Sequence, residues 1–149
     1  MSSFLSGGVK MKPKLVLMSH GNMAAETLQS AKMIVGELIA AQVVSMTETD
    51  GMSGTIEKLT QTLNFLGDVP VLILADLKGG TPCNVAMMQM NERPNLRVLS
   101  GLNLAMVIEA AVSPIEELDE LTNYLCDIGK SAVEKIELLE IDEEEEYEE

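Results

Sequence analysis

At 149 residues and 46% apolar side chains, the chain is long enough for one folded domain with a sizeable core. Aromatics make up only 3% and Trp is absent, so that core is expected to be built from aliphatic side chains, with most of the 11 methionines as gap-fillers. A net charge of −14 excludes nucleic acid and anionic membrane surfaces as partners, although much of it sits in Glu137, Glu140 and the run from Asp142 to Glu149.

In chain order, residues 1–11 are Ser- and Gly-rich ahead of a second methionine, Met11, and are expected to be a disordered extension outside the fold. Residues 12–141 read as the domain and residues 142–149 as a solvated acidic tail. The run Leu15-Val16-Leu17-Met18 predicts a first strand over residues 14–18, left through the turn Ser19-His20-Gly21-Asn22. Leu28, Ala31, Val35 and Leu38 recur at helical spacing, which predicts a helix over about residues 23–38. Residues 41–46 read as a short second strand and Thr47-Glu48-Thr49-Asp50-Gly51 as a loop. A helix starting at Ser53 or Gly54 carries Ile56, Leu59, Leu63 and Leu66 on one stripe and stops at Gly67-Asp68.

Residues 69–75, Val-Pro-Val-Leu-Ile-Leu-Ala, are continuously apolar, as a strand covered on both faces should be. A glycine-rich loop follows over residues 76–81. Thr81-Pro82 reads as N-cap and first residue of a helix reaching about Met90, because Pro there has no N–H to leave unpaired. After a turn at residues 91–95, residues 96–99 predict a fourth strand, and Ser100-Gly101-Leu102-Asn103 leads into a short helix over residues 104–111. Ser113-Pro114 restarts helix, with Leu118, Leu121, Leu125 and Ile128 on one stripe that Gly129 bends or ends. Residues 132–141 fit a last strand or a helical continuation, since Val133, Ile136 and Leu138 settle neither period. The order β-α-β-α-β-α-β predicts an α/β fold, a doubly wound, mainly parallel sheet with helices on both faces.

Cys83 and Cys126 form no CxxC or zinc pattern and read as reduced thiols of a cytoplasmic protein. No apolar run reaches the roughly 18 residues of a membrane span. No basic segment followed by an apolar stretch marks a signal peptide. One histidine without clustered carboxylates is a poor metal-ligand set, so neither a metal nor another cofactor is expected.

In an open α/β sheet the loops at the strands' carboxyl ends share one crevice. Here those loops are residues 19–22, 47–53, 76–81 and 100–103. His20, the only histidine, follows the first strand and is the one side chain whose ordinary pKa lies near neutrality. Asp76 follows the most buried strand; it is a turn residue, a helix cap, or the carboxylate that holds one His20 nitrogen and leaves the other as base or nucleophile. Gly79, Gly80 and Thr81 precede a helix N-terminus, where backbone N–H groups form an anion site. Thr81 caps that helix, donates to a phosphoryl oxygen, or does both. Lys78 adds positive charge there or is an ordinary loop lysine, and Asp50-Gly51 reads foremost as a turn.

At these residues the chain resembles the enzyme IIA family of mannose-type sugar phosphotransferase systems. The resemblance rests on Leu15-Val16-Leu17-Met18-Ser19-His20-Gly21, on Ala75-Asp76-Leu77-Lys78-Gly79-Gly80-Thr81-Pro82-Cys83-Asn84 and on Ser100-Gly101-Leu102-Asn103-Leu104-Ala105-Met106, and spans residues 12–141. It implies that His20 takes a phosphoryl group from the phosphocarrier HPr and passes it to an enzyme IIB. It also implies that Asp76 orients His20 and that Gly79, Gly80 and Thr81 bind the phosphoryl group. A homodimer is implied too, in which a carboxyl-terminal strand, here residues 132–141, is exchanged between subunits. Contact with the membrane is implied only through the IIC and IID transporter components.

The sequence departs from the family pattern at three places. Lys78 stands where an aromatic or apolar residue is usual, Ala105 replaces the Pro of a Gly-Val-Asn-Leu-Pro-Met stretch, and Asp50-Gly51 lacks a Pro-Gly-Glu look. Two other functions share this fold: the phosphoryl donor subunit of dihydroxyacetone kinase, and a regulatory binding module without covalent chemistry. Ser19-His20-Gly21 and Gly79-Gly80-Thr81-Pro82 favour the sugar system over the kinase subunit.

Overall fold

The computed structural model describes residues 11–37 and 39–140. The first ten residues, Leu38, Ile141 and the acidic tail lie outside the described residues, and with them the expectations placed on those positions. Nine elements follow one another: β1 (Lys14–His20), α1 (Met23–Val35), β2 (Ala41–Met46), α2 (Gly51–Leu66), β3 (Val71–Ala75), α3 (Thr81–Gln89), β4 (Leu96–Leu99), α4 (Leu104–Val112) and α5 (Leu118–Ser131). The strands form one parallel sheet in the order β2-β1-β3-β4. This is the expected doubly wound α/β fold.

Alternation along the central strands explains why they read as unbroken apolar runs. Leu15, Leu17, Leu72 and Leu74 face a layer made by α1, α4 and α5, joined by Leu28, Met106, Leu121 and Leu125. Val16, Met18, Val71, Ile73 and Ala75 face the opposite layer of α2 and α3, with Leu59, Leu63, Val85 and Ala86. Both faces of β1 and β3 are therefore dry. Each large side chain so buried contributes about 2 kcal/mol of transfer free energy, so the two layers supply the bulk of the stability.

Several boundaries differ from the sequence reading, each for a local reason. β1 runs on through His20, whose Cα pairs with Met46, so the histidine ends a strand rather than sitting in a turn. α1 ends at Val35 because Gly36 turns to φ +92° with its N–H on Lys32 O. α2 begins at Gly51, two residues before Ser53, because Gly54 N–H already donates to Asp50 O and closes the first turn. β3 starts at Val71 because Pro70 has no N–H to pair.

At the next helix, Gly80 holds the N-cap position and Thr81 is the first helical residue. Ser113 does not restart helix: its Oγ accepts Ile115 N–H and closes a local turn, and Glu117 caps α5 by accepting from Asp119 and Glu120 N–H. Gly129 lies inside α5, which continues to Ser131.

The described part of the last segment, residues 132–140, forms neither strand nor helix within the single chain and is exposed throughout. Val133, Ile136, Leu138 and Leu139 stand 79–100% open to solvent. Among the described residues the sheet ends at β4, and this segment does not pair with it.

Candidate active site

The order β2-β1-β3-β4 reverses direction between β1 and β3, which opens a crevice at their carboxyl ends. β1 carries His20 to that edge, and Asp76 is the first residue beyond β3. The two meet although 56 positions separate them: His20 Nδ1 lies 2.7 Å from Asp76 Oδ2. The same oxygen accepts the His20 backbone N–H at 2.9 Å, and Oδ1 accepts Leu77 N–H at 2.8 Å. Burial pushes the Asp76 carboxyl up, but the His20 backbone N–H, the imidazole and the Leu77 N–H outweigh it and hold the group below its ordinary value. An ionised carboxylate at Nδ1 places the proton of a neutral imidazole there and leaves the lone pair on Nε2. The His20 side chain is 49% exposed and Asp76 only 10%, so the imidazole is half open to solvent while the carboxylate it bonds is covered.

Gly80 packs against the ring. A Cβ built on it would stand 2.8 Å from His20 Cε1 and 3.5 Å from Nε2. Its φ of −79° suits any residue, so close approach and not torsion calls for glycine there. Gly79 differs, with φ +88° in the left-handed region. The Gly80 N–H is spent on Leu77 O at 3.0 Å. An anion in front of Nε2 is therefore left with the N–H groups of the first turn of α3, those of Thr81 and Cys83, since Pro82 has none. No side chain caps α3, so Thr81 does not serve as its cap, and the hydroxyl stands one residue beyond Gly80 in the same first turn.

The fourth loop supports the arrangement from behind. Gly101 N–H donates to Asp76 O at 3.2 Å and Leu102 N–H to Ala75 O at 2.9 Å. The second loop is stapled on itself: the Asp50 carboxylate accepts Lys58 Nζ and Thr47 N–H, each at 2.7 Å. The Lys58 bond foremost, then the Thr47 N–H, lowers Asp50 to about 2. Asp50 is thus a turn residue, as its Asp-Gly context suggests. Lys78 is exposed and lines a cleft of about 490 Å³ beside β4, together with Cys83, Met87, Val98 and Cys126.

Two residues of the site went unassigned in the sequence. Ser19, fully buried, accepts Ala24 N–H at 2.8 Å through Oγ and reaches Gly21 O at 3.2 Å, which fixes the turn that follows His20. Asn84 donates from Nδ2 to Gly79 O at 3.2 Å and ties the glycine loop to α3. A hydroxyl ahead of a strand-end histidine and an amide within the next helix's first turns were the signals available. Among the described residues no three His, Cys, Asp or Glu side chains converge as a metal site would require. Nor is any described helix long and apolar enough to cross a membrane.

Residues 14–123 match the family described as the fructose IIA component of the phosphotransferase system, EIIA-man. Among solved structures, the mannose/sorbose-specific IIA subunit of a phosphotransferase system from Enterococcus faecalis superposes with a TM-score of 0.86 at 65% identity, over 89% of this chain and 100% of that one. The fructose-specific EIIA component of Bacillus subtilis is 30% identical over 99 residues, 64% of this chain and 66% of that protein. The mannose-specific EIIAB component of Escherichia coli is 26% identical over 125 residues, 82% of this chain. The match spans 39% of the length of that last relative.

Proposed function

The chain belongs to the EIIA-man family of phosphotransferase-system IIA components, which are phosphotransferases that work through a phosphohistidine, and on that premise we propose that His20 is the phosphoryl carrier. The supporting observation is the 2.7 Å contact between Asp76 and Nδ1, which commits Nε2 to the outside. In the proposed step the Nε2 lone pair attacks the phosphorus of phospho-HPr. The donor P–N bond breaks, and its electron pair returns to the donor imidazole. His20 keeps its Nδ1 proton throughout, and the positive charge that develops on its ring is offset by the Asp76 carboxylate. Charge on the transferring group's equatorial oxygens faces the first-turn N–H groups of α3 and the Thr81 hydroxyl, with Gly79 and Gly80 shaping the approach. Transfer onward to an enzyme IIB reverses the same events. Because a protonated imidazole has no lone pair at Nε2, acceptance fails in acid.

The named relatives are sugar-system components, which favours sugar uptake in the cytoplasm over the dihydroxyacetone kinase subunit or a binding module without covalent chemistry. The proposal includes a homodimer. Its support is the edge of β4 that no described strand pairs, which lines the cleft beside Cys83 and Cys126, and the exposed apolar residues of segment 132–140, which pack on nothing among the described residues. Incubation with phosphoenolpyruvate, enzyme I and HPr tests the carrier role. An acid-labile, base-stable phosphate is expected on the chain and none on His20→Ala. Uptake by that variant, or no uptake by the unmodified chain, rejects it.

A further inference from the structure

We infer that Asn103 is a positioning residue for His20, acting through Asp76, and that Gly129 is the residue that lets the last turn of α5 come close enough to hold Asn103. The carboxamide is engaged at both ends. Its Oδ1 accepts Met106 N–H at 3.1 Å and caps α4, and its Nδ2 donates to Gly129 O at 3.3 Å. Exchanging the two amide atoms would set a donor against the Met106 N–H and an acceptor against a carbonyl, so the orientation is fixed by its partners.

The Gly129 carbonyl lies in the last turn of a helix that ends at Ser131 and has no intrahelical donor to receive. Asn103 therefore satisfies one helix end while capping the start of another. A Cβ on Gly129 would stand 2.8 Å from Met106 Sδ, 3.0 Å from Met106 Cγ and 3.4 Å from Asn103 Nδ2. A side chain there must displace the Met106 thioether, which is buried, or else part α5 from Asn103.

From Asn103 the coupling to the reacting ring runs through short, stiff steps. The two residues before it, Leu102 and Gly101, donate their N–H groups to Ala75 O and Asp76 O. The Asp76 carboxylate in turn grips His20 at both its backbone N–H and Nδ1. If Asn103 loses α5, loop 100–103 is held only by the α4 cap and its two backbone bonds, and the Asp76 main chain that carries the orienting carboxylate is less firmly braced from behind. The ring then samples the form that carries its proton on Nε2, which cannot attack phosphorus.

The rate consequence rests on the carrier reading above; the tautomer consequence does not. The test uses the full chain with Asn103→Asp, which keeps the α4 cap and loses the donor to Gly129, and with Gly129→Ala, which alters no polar group. Nitrogen-15 spectra of the single imidazole at alkaline pH read the tautomer directly. The unmodified chain is expected to show the Nδ1–H form alone, and both variants a mixture containing Nε2–H. Turnover with phospho-HPr is expected to fall roughly tenfold at unchanged KM, the loss that small misplacements of a reacting group produce.

The double variant is expected to lose no more than the worse single one, since both act on one contact. An unshifted tautomer in Gly129→Ala overturns the proposal, and that variant decides alone should Asn103→Asp fail to fold. Losses that multiply in the double variant also overturn it. Absence of phosphoryl transfer in the unmodified chain, with the tautomer shift intact, would reject the carrier reading and leave the positioning role standing.

Discussion

A methyl group on Gly80 would meet the His20 ring 2.8 Å from Cε1 and the Leu77 carbonyl at 3.3 Å. The carbonyl is backbone and cannot swing aside, so the ring must move. Gly80→Ala is accordingly expected to slow phosphoryl acceptance by about 100-fold, the usual cost of displacing a reacting group by about 1 Å. The unfolding midpoint should hardly change, because φ −79° is open to alanine. A time course of phosphate incorporation beside a thermal melt checks both halves, and an unchanged rate would refute the contact's role. The sequence offered Gly80 both as an N–H donor and as a point of close approach. Its pairing with Gly79 suggested open N–H groups, yet its own N–H closes the turn on Leu77 O.

At the level of elements, the loop after β2 shows how a side chain fixes a boundary that periodicity leaves loose. Asp50 turns back to Thr47 N–H and bonds Lys58 Nζ, which also reaches Ser45 O at 2.9 Å. This clamp joins the end of β2 to the first turns of α2. The carboxyl's ordinary value of 3.8 falls to about 2 in the fold, so the group is depressed. Its stabilising contribution is complete above about pH 4 and is lost as pH falls through about 2. Unfolding followed across the acid range in the unmodified chain and in Asp50→Asn should show a constant stability gap from neutrality to about pH 4 that closes toward pH 2. A gap that persists at the acid end would disprove the clamp. Helical spacing alone could not locate this start, because the apolar stripe begins only at Ile56 and the turn before it is closed by polar atoms.

On the scale of the whole molecule, the described residues leave one problem unsolved among themselves. β4 closes the sheet with an open edge, while Val133, Ile136, Leu138 and Leu139 stand in solvent. Exchange of this segment between two copies would cover both at once, and an unpaired edge with exposed apolar residues nearby is otherwise an aggregation hazard. Replacing Ile136 and Leu138 together by Asp is expected to convert a dimer into a monomer in sedimentation, with the circular dichroism of the domain retained. Sedimentation unchanged by the double replacement would defeat the exchange.

The sequence by itself determined the strands and most helices, the placing of His20 on the exit from the first strand and the glycine loop at a helix start. Those properties are local: side-chain period reports which faces are buried, and Gly, Pro and Asp report where the chain turns. It also placed Asp76 and His20 at one edge, through the rule that parallel strands share it. Only the tertiary structure decided that β1 and β3 are neighbours, which brings Asp76 Oδ2 to 2.7 Å from Nδ1. The same holds for Gly80 against the imidazole, for Asn103 between Met106 and Gly129, and for the segment after α5 that forms no strand alone. Periodicity encodes that a face is covered but not what covers it. Contacts set to a few tenths of an ångström arise only when whole layers pack.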